Sequence, residues 1–295
     1  MLSVLIPTYN YNVYPLVKEI HKQISKLAIE FEILVYDDAS TIDFENIELI
    51  KELNNVVYKK LPDNLGRTAI RHLLTTDAKF ENLLFLDADT FPKDRYYIAK
   101  FIKTIEKYPA DVYFGGIQVP TNPPSPDKML RWKYGKERES LPVEKRKEKP
   151  YRSILCGAVL IKKSVFLPII TELKAIKKYG LDLYFSYQLK KQQAEIHHFH
   201  NPIIHLGLET SEDFLKKTEQ AIDTLKFLIK NRMIAPDYSR LSEKAQQLST
   251  PGCKTLTFPC IIFKKLCIKN LLSANPSLFI FDLYKLFYFC HQTRK

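Results

Sequence analysis

The chain has 295 residues, of which 45% are hydrophobic, and a formal net charge of +12 at pH 7. This length and apolar content suit one large domain, or a domain with an appendage, and exclude a wholly disordered chain. A basic balance is typical of proteins that bind nucleic acid, anionic lipid or an anionic substrate. No helix-turn-helix, finger or RNA-recognition signature accompanies the basic residues, so nucleic acid is disfavoured.

The first residues form an apolar strand pattern without a basic leader or a cleavage site, so we expect a cytoplasmic protein without a signal peptide. The 5 cysteines include no C-x-x-C pair, which favours reduced structural thiols over disulfides or a zinc site. Cys253, Cys260 and Cys267 recur every seventh residue. We attribute this spacing to a buried helical stripe or to chance rather than to metal binding.

Short apolar runs alternate with amphipathic segments through the first 120 residues, a pattern typical of a mostly parallel sheet flanked by helices. We predict strands at residues 3–7, 31–36, 56–60, 82–86 and 111–117. We predict helices at residues 13–27, 45–53, 67–75 and 94–107. The proline-rich stretch 119–126 cannot continue either element and is predicted to be a loop.

Beyond this loop the alternating pattern resumes and then gives way to a different composition. We predict strands at residues 154–161, 195–199 and 203–206, and helices at residues 164–178 and 182–192. Residues 233–295 are predicted to form a helical, basic and aromatic C-terminal extension.

The apolar run 278–289 in this extension carries Asp282 and Lys285 and is shorter than the run of about twenty apolar residues that a spanning helix needs. Basic residues lie on both sides of it. One interpretation is an amphipathic element on an anionic cytoplasmic leaflet. The alternatives are packing on the rest of the chain and formation of a homodimer.

Polar residues follow several of the predicted strands, at the end of a parallel sheet where ligands bind. Asp87 and Asp89 come directly after the apolar strand 82–86. Two carboxylates this close repel unless a cation lies near them, and oxygen ligands suit Mg²⁺ or Mn²⁺ carrying phosphates. The sequence therefore predicts a diphosphate site, and the alternative is a solvated turn or a helix cap.

Two other nucleotide or phosphate signatures fit the sequence less well. The phosphatase pattern Asp-x-Asp-x-Thr needs a hydroxyl where this chain has Phe91, and it normally follows the first strand. A dinucleotide fold is disfavoured because no G-x-G-x-x-G follows the first strand.

Four segments in chain order resemble the motifs of the inverting family 2 glycosyltransferases of the GT-A fold, and the resemblance covers roughly residues 1–228. The segments are Pro7-Thr8-Tyr9-Asn10, Val35-Tyr36-Asp37-Asp38-Ala39-Ser40, Asn64-Leu65-Gly66-Arg67-Thr68-Ala69-Ile70-Arg71-His72 and Asp87-Ala88-Asp89. Ala39 replaces the usual glycine, and Ile70 and His72 also depart from the commonest residues.

The resemblance implies an α/β GT-A domain over residues 1–232, with a Rossmann-like, mostly parallel sheet flanked by helices. Its nucleotide-binding half would be 1–117 and its acceptor-binding half 118–232. The resemblance also implies a nucleotide-sugar donor, which by family usage we expect to be a UDP-sugar, with Mn²⁺ or Mg²⁺ as cofactor. A glycan or lipid-linked glycan acceptor in cell-surface polysaccharide assembly would place the protein at the inner face of the plasma membrane.

The same resemblance assigns roles to individual residues. Those that would hold the donor nucleotide are Pro7, Thr8, Tyr9, Asp38, Gly66, Arg67, Arg71 and Asp87. Those that would hold the metal are Asp87, Asp89 and, in some members of the family, a histidine that corresponds to His205. Alternatives remain for three of these groups: an Asx-type turn for Asp38, surface ion pairs for the arginines and a core position for His205.

The general base of the family comes from a Glu-Asp pair that begins a helix, and here only Asp182 corresponds to it, because Leu181 replaces the first acid. The alternative is that Asp182 caps its helix. Two other classes of function remain open: a nucleotidyltransferase that makes a nucleotide sugar, and a catalytically silent relative that serves as a binding subunit.

Overall fold

A computed structural model of the protein describes residues 1–248 and 260–291. The predicted extension lies outside the described residues at 249–259, which include Cys253, and at 292–295. The chain divides into two compact units. The first consists of Met1–Val119, Ser140–Lys177 and Gln188–Gly207, and the second of Pro120–Glu139, Lys178–Tyr187 and Leu208–Lys295.

The ten strands within the described residues all belong to the first unit. They are β1 (Leu2–Thr8), β2 (Phe31–Asp37), β3 (Val56–Lys60), β4 (Asn82–Leu86), β5 (Thr90–Pro92), β6 (Val112–Phe114), β7 (Ile117–Gln118), β8 (Ala158–Lys162), β9 (Ile196–His198) and β10 (Ile203–His205). Seven of them form one sheet in the order β3-β2-β1-β4-β8-β6-β9. All its pairings are parallel except those of β8, which runs antiparallel to β4 and β6.

Helices surround this sheet in the first unit and make up most of the second. They are α1 (Tyr14–Ile24), α2 (Glu48–Lys51), α3 (Arg67–Asp77), α4 (Tyr97–Lys107), α5 (Met129–Tyr134), α6 (Val143–Glu148), α7 (Lys163–Leu173), α8 (Asp182–Lys191), α9 (Ser211–Lys230), α10 (Arg240–Gln247), α11 (Cys260–Leu271) and α12 (Leu278–His291). The mostly parallel α/β architecture confirms the predicted fold class.

The central strands are apolar on both faces because helices cover the sheet on both sides. In β1 and β4 nearly every side chain is buried, and Val4 of β1 pairs with Leu84 of β4. Helices α1 and α4 add residues such as Val17 and Phe101 to the same core. Burial of this apolar area is the main force that holds the strand ends in place.

Three short strands form a second sheet in the order β5-β10-β7. Strand β10 runs antiparallel to β5, and His205 lies opposite Thr90. Strand β10 also runs parallel to β7, with Ile203 opposite Ile117. This small sheet therefore carries the segment around residue 205 to the carboxyl end of β4.

The predicted strand 111–117 is interrupted at Gly115 and Gly116, where the structure has two separate strands. A Cβ on Gly115 would lie 2.3 Å from the carbonyl oxygen of Asn201, so only glycine fits there. Gly116 has a φ of 102°, which ends the extended backbone. The prediction of one continuous strand was wrong because these close contacts come from residues far along the chain.

Arg146 of α6 fills the space beside this interruption and is only 2% exposed. Its guanidinium donates to the carbonyl oxygens of Phe114 (2.7 Å), Gly115 (3.2 Å) and Phe199 (2.8 Å). It also donates to Nδ1 of His198 at 3.2 Å. A guanidinium can only donate, so the proton of His198 lies on Nε2, which donates to the Pro150 carbonyl at 3.0 Å.

The second unit has its own apolar cluster. Helices α5, α9, α11 and α12 contribute to it the buried residues Leu130, Phe214, Leu215, Leu271, Leu278, Phe281 and Tyr284. Two hydrogen bonds join α12 to α9, from Tyr284 to Glu219 and from Tyr288 to Asp223. Within the described residues, no helix is both long and apolar enough to cross a bilayer.

Candidate active site

The ends of β1 and β2 lie side by side, because Thr8 pairs with Asp37 in register. The amide of Asp38 donates to the carbonyl of Thr8 at 2.9 Å, which extends the pairing by one residue. Thr8 is buried, whereas Tyr9 is exposed beyond the strand end. Pro7, Thr8 and Tyr9 thus reach the edge of the sheet at which ligands bind in this class of fold.

Asp38 connects the end of β2 to the start of α3. Its two carboxylate oxygens accept hydrogen bonds from the amides of Leu65 (2.7 Å) and Gly66 (2.9 Å). These bonds stabilise a carboxylate that is almost entirely buried. Each oxygen keeps a second lone pair that could accept a bond from a ligand.

Gly66 precedes the first residue of α3 and has φ 85° and ψ 162°. Residues with a side chain avoid this conformation, so the start of α3 requires glycine here. The conformation lets the chain turn from the Asp38 contacts directly into the helix that carries Arg67 and Arg71.

The loop after β2 departs from the family motif at Ala39, which has a φ of 61°. Asp37 accepts a bond from the amide of Ser40 at 2.8 Å, and the Ser40 hydroxyl accepts one from the amide of Asn10 at 2.7 Å. These contacts hold Ala39 in a left-handed conformation that favours glycine, at a cost of about 1 kcal/mol.

Asp87 follows β4 and lies against two arginines of α3. Its Oδ1 accepts from Nη2 of Arg71 at 2.5 Å, and its Oδ2 lies 3.4 Å from Nη2 of Arg67. Burial alone would raise the pKa of Asp87, but Arg71, Arg67 and the nearby His205 hold this pKa below its ordinary value. Asp87 is therefore ionised at neutral pH and fixed in direction.

Asp89 lies against the small sheet, beside β10. Its Oδ2 lies 3.1 Å from Nε2 of His205, and its carbonyl accepts from the amide of Leu206 at 2.8 Å. The phenol of Tyr11 lies near enough that burial and the charge of Asp89 raise the pKa of Tyr11. Asp87 and Asp89 therefore have different charged contacts, two arginines for the first and His205 for the second, although the charge of His205 also acts on Asp87.

Two glycines far along the chain make room for these carboxylates. A Cβ on Gly157 would lie 2.4 Å from Oδ2 of Asp87, and a Cβ on Gly207 would lie 2.1 Å from Oδ2 of Asp89. Sequence reasoning assigned no role of this kind to either glycine. A glycine inside the predicted strand 154–161 and another directly after the predicted strand 203–206 were the only available signals, and such glycines are too common to identify a partner.

The donor set around Asp89 fits a hard divalent cation. Carboxylate oxygen and imidazole nitrogen both bind Mn²⁺, and two ligand atoms about 2.1 Å from one ion at right angles would be about 3 Å apart. The observed separation of 3.1 Å between Asp89 and His205 is of this size. Within the described residues, no group of three or more acidic, histidine or cysteine side chains could hold an ion. These two residues would therefore need further ligands from phosphates or water.

The predicted base, Asp182, lies in the second unit of the chain. Asp182 is the first residue of α8 and is exposed. Leu181, where the family has an acid, is buried and its carbonyl accepts the amide of Tyr184 at 3.0 Å. The leucine is therefore an apolar core residue of this unit, which explains why a carboxylate does not occupy the position.

Comparison with known proteins gives one family and several solved structures. The model of the family described as glycosyl transferase family 2 matches residues 3–166. The mannosyltransferase PcManGT from Pyrobaculum calidifontis, in complex with GDP-Man and Mn²⁺, is 14% identical with a TM-score of 0.56, over 99% of this chain and 86% of that chain. Mannosyl-3-phosphoglycerate synthase from Rubrobacter xylanophilus is 14% identical with a TM-score of 0.54, over 80% of this chain and 76% of that chain.

TarS 1–349 from S. aureus, in complex with UDP-GlcNAc, is 15% identical with a TM-score of 0.50, over 99% of this chain and 91% of that chain. The chain spans 39% of the length of a longer TarS chain. No curated protein matches the chain. At such low identity, these likenesses establish a common fold.

Proposed function

The chain belongs to glycosyl transferase family 2, and we propose that it transfers a sugar from a UDP-sugar to a hydroxyl of a glycan or lipid-linked glycan, with inversion at the anomeric carbon. The observation that carries the proposal is the pair of carboxylates after β4, of which Asp87 is held by arginines and Asp89 by His205. A role in cell-surface polysaccharide assembly, at the inner face of the plasma membrane, is part of the same proposal.

The first unit would bind the donor. Thr8, Tyr9 and Asp38 would contact the base and ribose, because they lie at the ends of β1 and β2. Arg67 lies at the first turn of α3 and is largely exposed, so it can turn toward a phosphate without leaving a buried charge behind. Arg71 is buried against Asp87 and would keep that carboxylate oriented toward the ribose.

Asp89 and His205 would hold Mn²⁺ or Mg²⁺, with Asp87 beside them, and phosphate oxygens would complete the coordination. When bound, such an ion offsets the negative charge of the nucleoside diphosphate leaving group. Tyr11 would shield this region from solvent, because it is half-buried next to Asp89.

Asp182 is proposed as the general base, which removes the proton of the acceptor hydroxyl as that oxygen attacks the anomeric carbon. Its exposure at the start of a helix supports this role, since an exposed carboxylate is open to the hydroxyl of an acceptor. With Leu181 as its neighbour, Asp182 would act without the adjacent acid of the family pattern.

The experiment measures donor turnover by the full chain in the presence of Mn²⁺. The readout is the release of nucleoside diphosphate from UDP-sugars and from GDP-sugars. We expect turnover with a UDP-sugar, complete loss for Asp89→Ala, and a loss of about 10²- to 10⁴-fold in kcat for Asp182→Asn with donor KM unchanged. Asp237→Asn, which alters an exposed acid of the second unit, is the matched control and should retain full activity.

Three results would contradict the proposal. Release of pyrophosphate from a nucleoside triphosphate would identify a nucleotidyltransferase instead. Metal-dependent donor binding without turnover would identify a silent binding subunit. A product with the anomeric configuration of the donor, measured by proton NMR, would rule out inversion.

A further inference from the structure

Helices α11 and α12 bury one side in the second unit and leave large apolar side chains on the other. Leu271, Leu278 and Phe281 are buried in the apolar cluster of that unit. Phe279 is 71% exposed, which is the largest value for any large apolar residue in the described part of the chain. Leu266 is 59% exposed and Leu272 is 38% exposed.

Two of these exposed residues, Leu272 and Phe279, flank the turn between the two helices. The side chain of Asn270 accepts a hydrogen bond from the amide of Ser277 at 3.0 Å, which closes the turn. Leu272 comes just before this turn and Phe279 just after it. On α11, positions 265 and 269 share one stripe, because residues four apart are neighbours on a helix, and Leu272 directly follows the last residue of α11.

The same region carries positive charge without matching negative charge. Lys264, Lys265 and Lys269 are exposed, and the sequence of α11 contains no aspartate or glutamate. Of these three lysines, Lys264 alone approaches an acid among the described residues, at 4.0 Å from Glu219. Asp282, the one acid of α12, is already bound to Lys285 (2.7 Å) and Arg138 (3.1 Å).

We propose that this hairpin surface, formed by Lys264, Lys265, Leu266, Lys269, Leu272 and Phe279, binds an anionic phospholipid surface. Apolar side chains would insert at the boundary of headgroups and acyl chains, while the lysines contact the lipid phosphates. The helices lie on the membrane rather than cross it, because none described is long and apolar enough to span.

A second copy of the chain is a poorer occupant of the hairpin surface. In a symmetric dimer the same patch meets itself, so the lysines of one copy would face those of the other. The net charge of +12 adds repulsion between copies. An anionic lipid surface is complementary to both the charge and the apolar side chains.

The test is sedimentation of the full chain with vesicles of neutral phosphatidylcholine, or of phosphatidylcholine with about one-third phosphatidylglycerol. We expect binding to the anionic vesicles only. Lys265→Glu combined with Lys269→Glu should weaken this binding about thirtyfold or more, because each basic residue near an anionic leaflet contributes about a factor of five. Phe279→Ser should weaken it about tenfold.

Matched controls come from exposed positions of the first unit. Lys22→Glu combined with Lys26→Glu makes the same charge change, and Leu49→Ser removes an exposed apolar side chain. The affinity of both control variants for anionic vesicles should be within about threefold of the wild type. Neither variant changes a residue of the hairpin surface, and salt screens the charge change of the first variant.

Three outcomes would overturn the proposal: equal binding to neutral vesicles, equal losses in the controls, and a dimer in analytical ultracentrifugation that Phe279→Ser dissolves. The last outcome would assign the hairpin surface to a second copy. This inference deepens the membrane location that is part of the proposed function. The measurement involves no sugar transfer, so its failure would remove that location and leave the proposed sugar transfer unaffected.

Discussion

The replacement of Gly207 by alanine tests whether space for the Asp89 carboxylate is essential to the site. The new Cβ would lie 2.1 Å from Oδ2 and 2.7 Å from Cγ of Asp89, whereas ordinary contact begins at 3.4 Å. Relief of this overlap requires a displacement of the carboxylate by more than about 1 Å. We expect a cost of about 1–3 kcal/mol in unfolding free energy and a loss of about 100-fold or more in activity.

Urea unfolding and donor turnover with Mn²⁺ measure these two quantities. Because the clash involves the Asp89 side chain, Gly207→Ala should cost much less stability in an Asp89→Gly background, which removes the overlapping atoms. Leu206→Ala, which shortens the exposed neighbour of Gly207, is the control for general damage to the loop and should cost less than about 0.5 kcal/mol. An equal stability cost of Gly207→Ala in both backgrounds, or full activity of the single variant, would refute the reasoning.

Three further predictions concern other residues of the first unit. Ala39→Gly should raise the unfolding free energy by about 0.5–1 kcal/mol in urea titrations, because glycine adopts the φ of 61° without strain, and no gain would contradict this. Burial and the charge of Arg146 lower the pKa of His198 to about 4 from 6.5. Between pH 6.5 and 4, His198 is protonated in the unfolded state and neutral in the folded state. Its effect on the unfolding free energy is therefore absent above pH 6.5 and lowers stability increasingly toward pH 4. Between pH 7.5 and 5 this loss should be about 2 kcal/mol in the wild type, and His198→Gln should abolish it. Arg71→Met should raise the pKa of Asp87 and move the acid limb of the pH profile of kcat/KM upward, and an unchanged limb would show that Arg71 does not set this pKa.

The sequence predicted strands β1 to β4 to within about one residue at each end. Strands 56–60 and 82–86 match β3 and β4 at both ends, because turn residues flank each segment. Helices were predicted too long at several ends. The predicted helix 45–53 is only Glu48–Lys51 in the structure. Ile50 is its one buried side chain, so a longer helix here would gain little packing energy.

Short strands and close backbone contacts could not be predicted. Strands β5 and β7 have only three and two residues, too few to show any periodicity, whereas β10 matches the predicted strand 203–206. The predicted strand 154–161 begins only at Ala158, because a turn precedes it in which the amide of Ala158 donates to the carbonyl of Leu155 at 3.4 Å. The carbonyl of Gly157, in this turn, accepts the amide of Asp87 at 2.8 Å at the edge of the site. Such contacts join residues about seventy positions apart, which local patterns do not record.

The residues of the candidate site were found from strand ends and family motifs, but their partners were not. Motif spacing identified Asp87 and Asp89 without indicating that one faces arginines and the other a histidine. The roles assigned to Asp182 and His205 stay predictions. The membership in family 2 and the GT-A fold are confirmed by the family match and by the solved structures.

The order of strands in the central sheet has a consequence for how the chain emerges from the ribosome. Strand β4 pairs with β1 on one side, but its other neighbour, β8, is translated about seventy residues later. Until then the apolar strand 82–86 presents an open edge to the cytosol, the kind of edge that recruits other chains. Nascent chains that stall before residue 158, and expression fragments cut there, should therefore depend on chaperones to remain soluble.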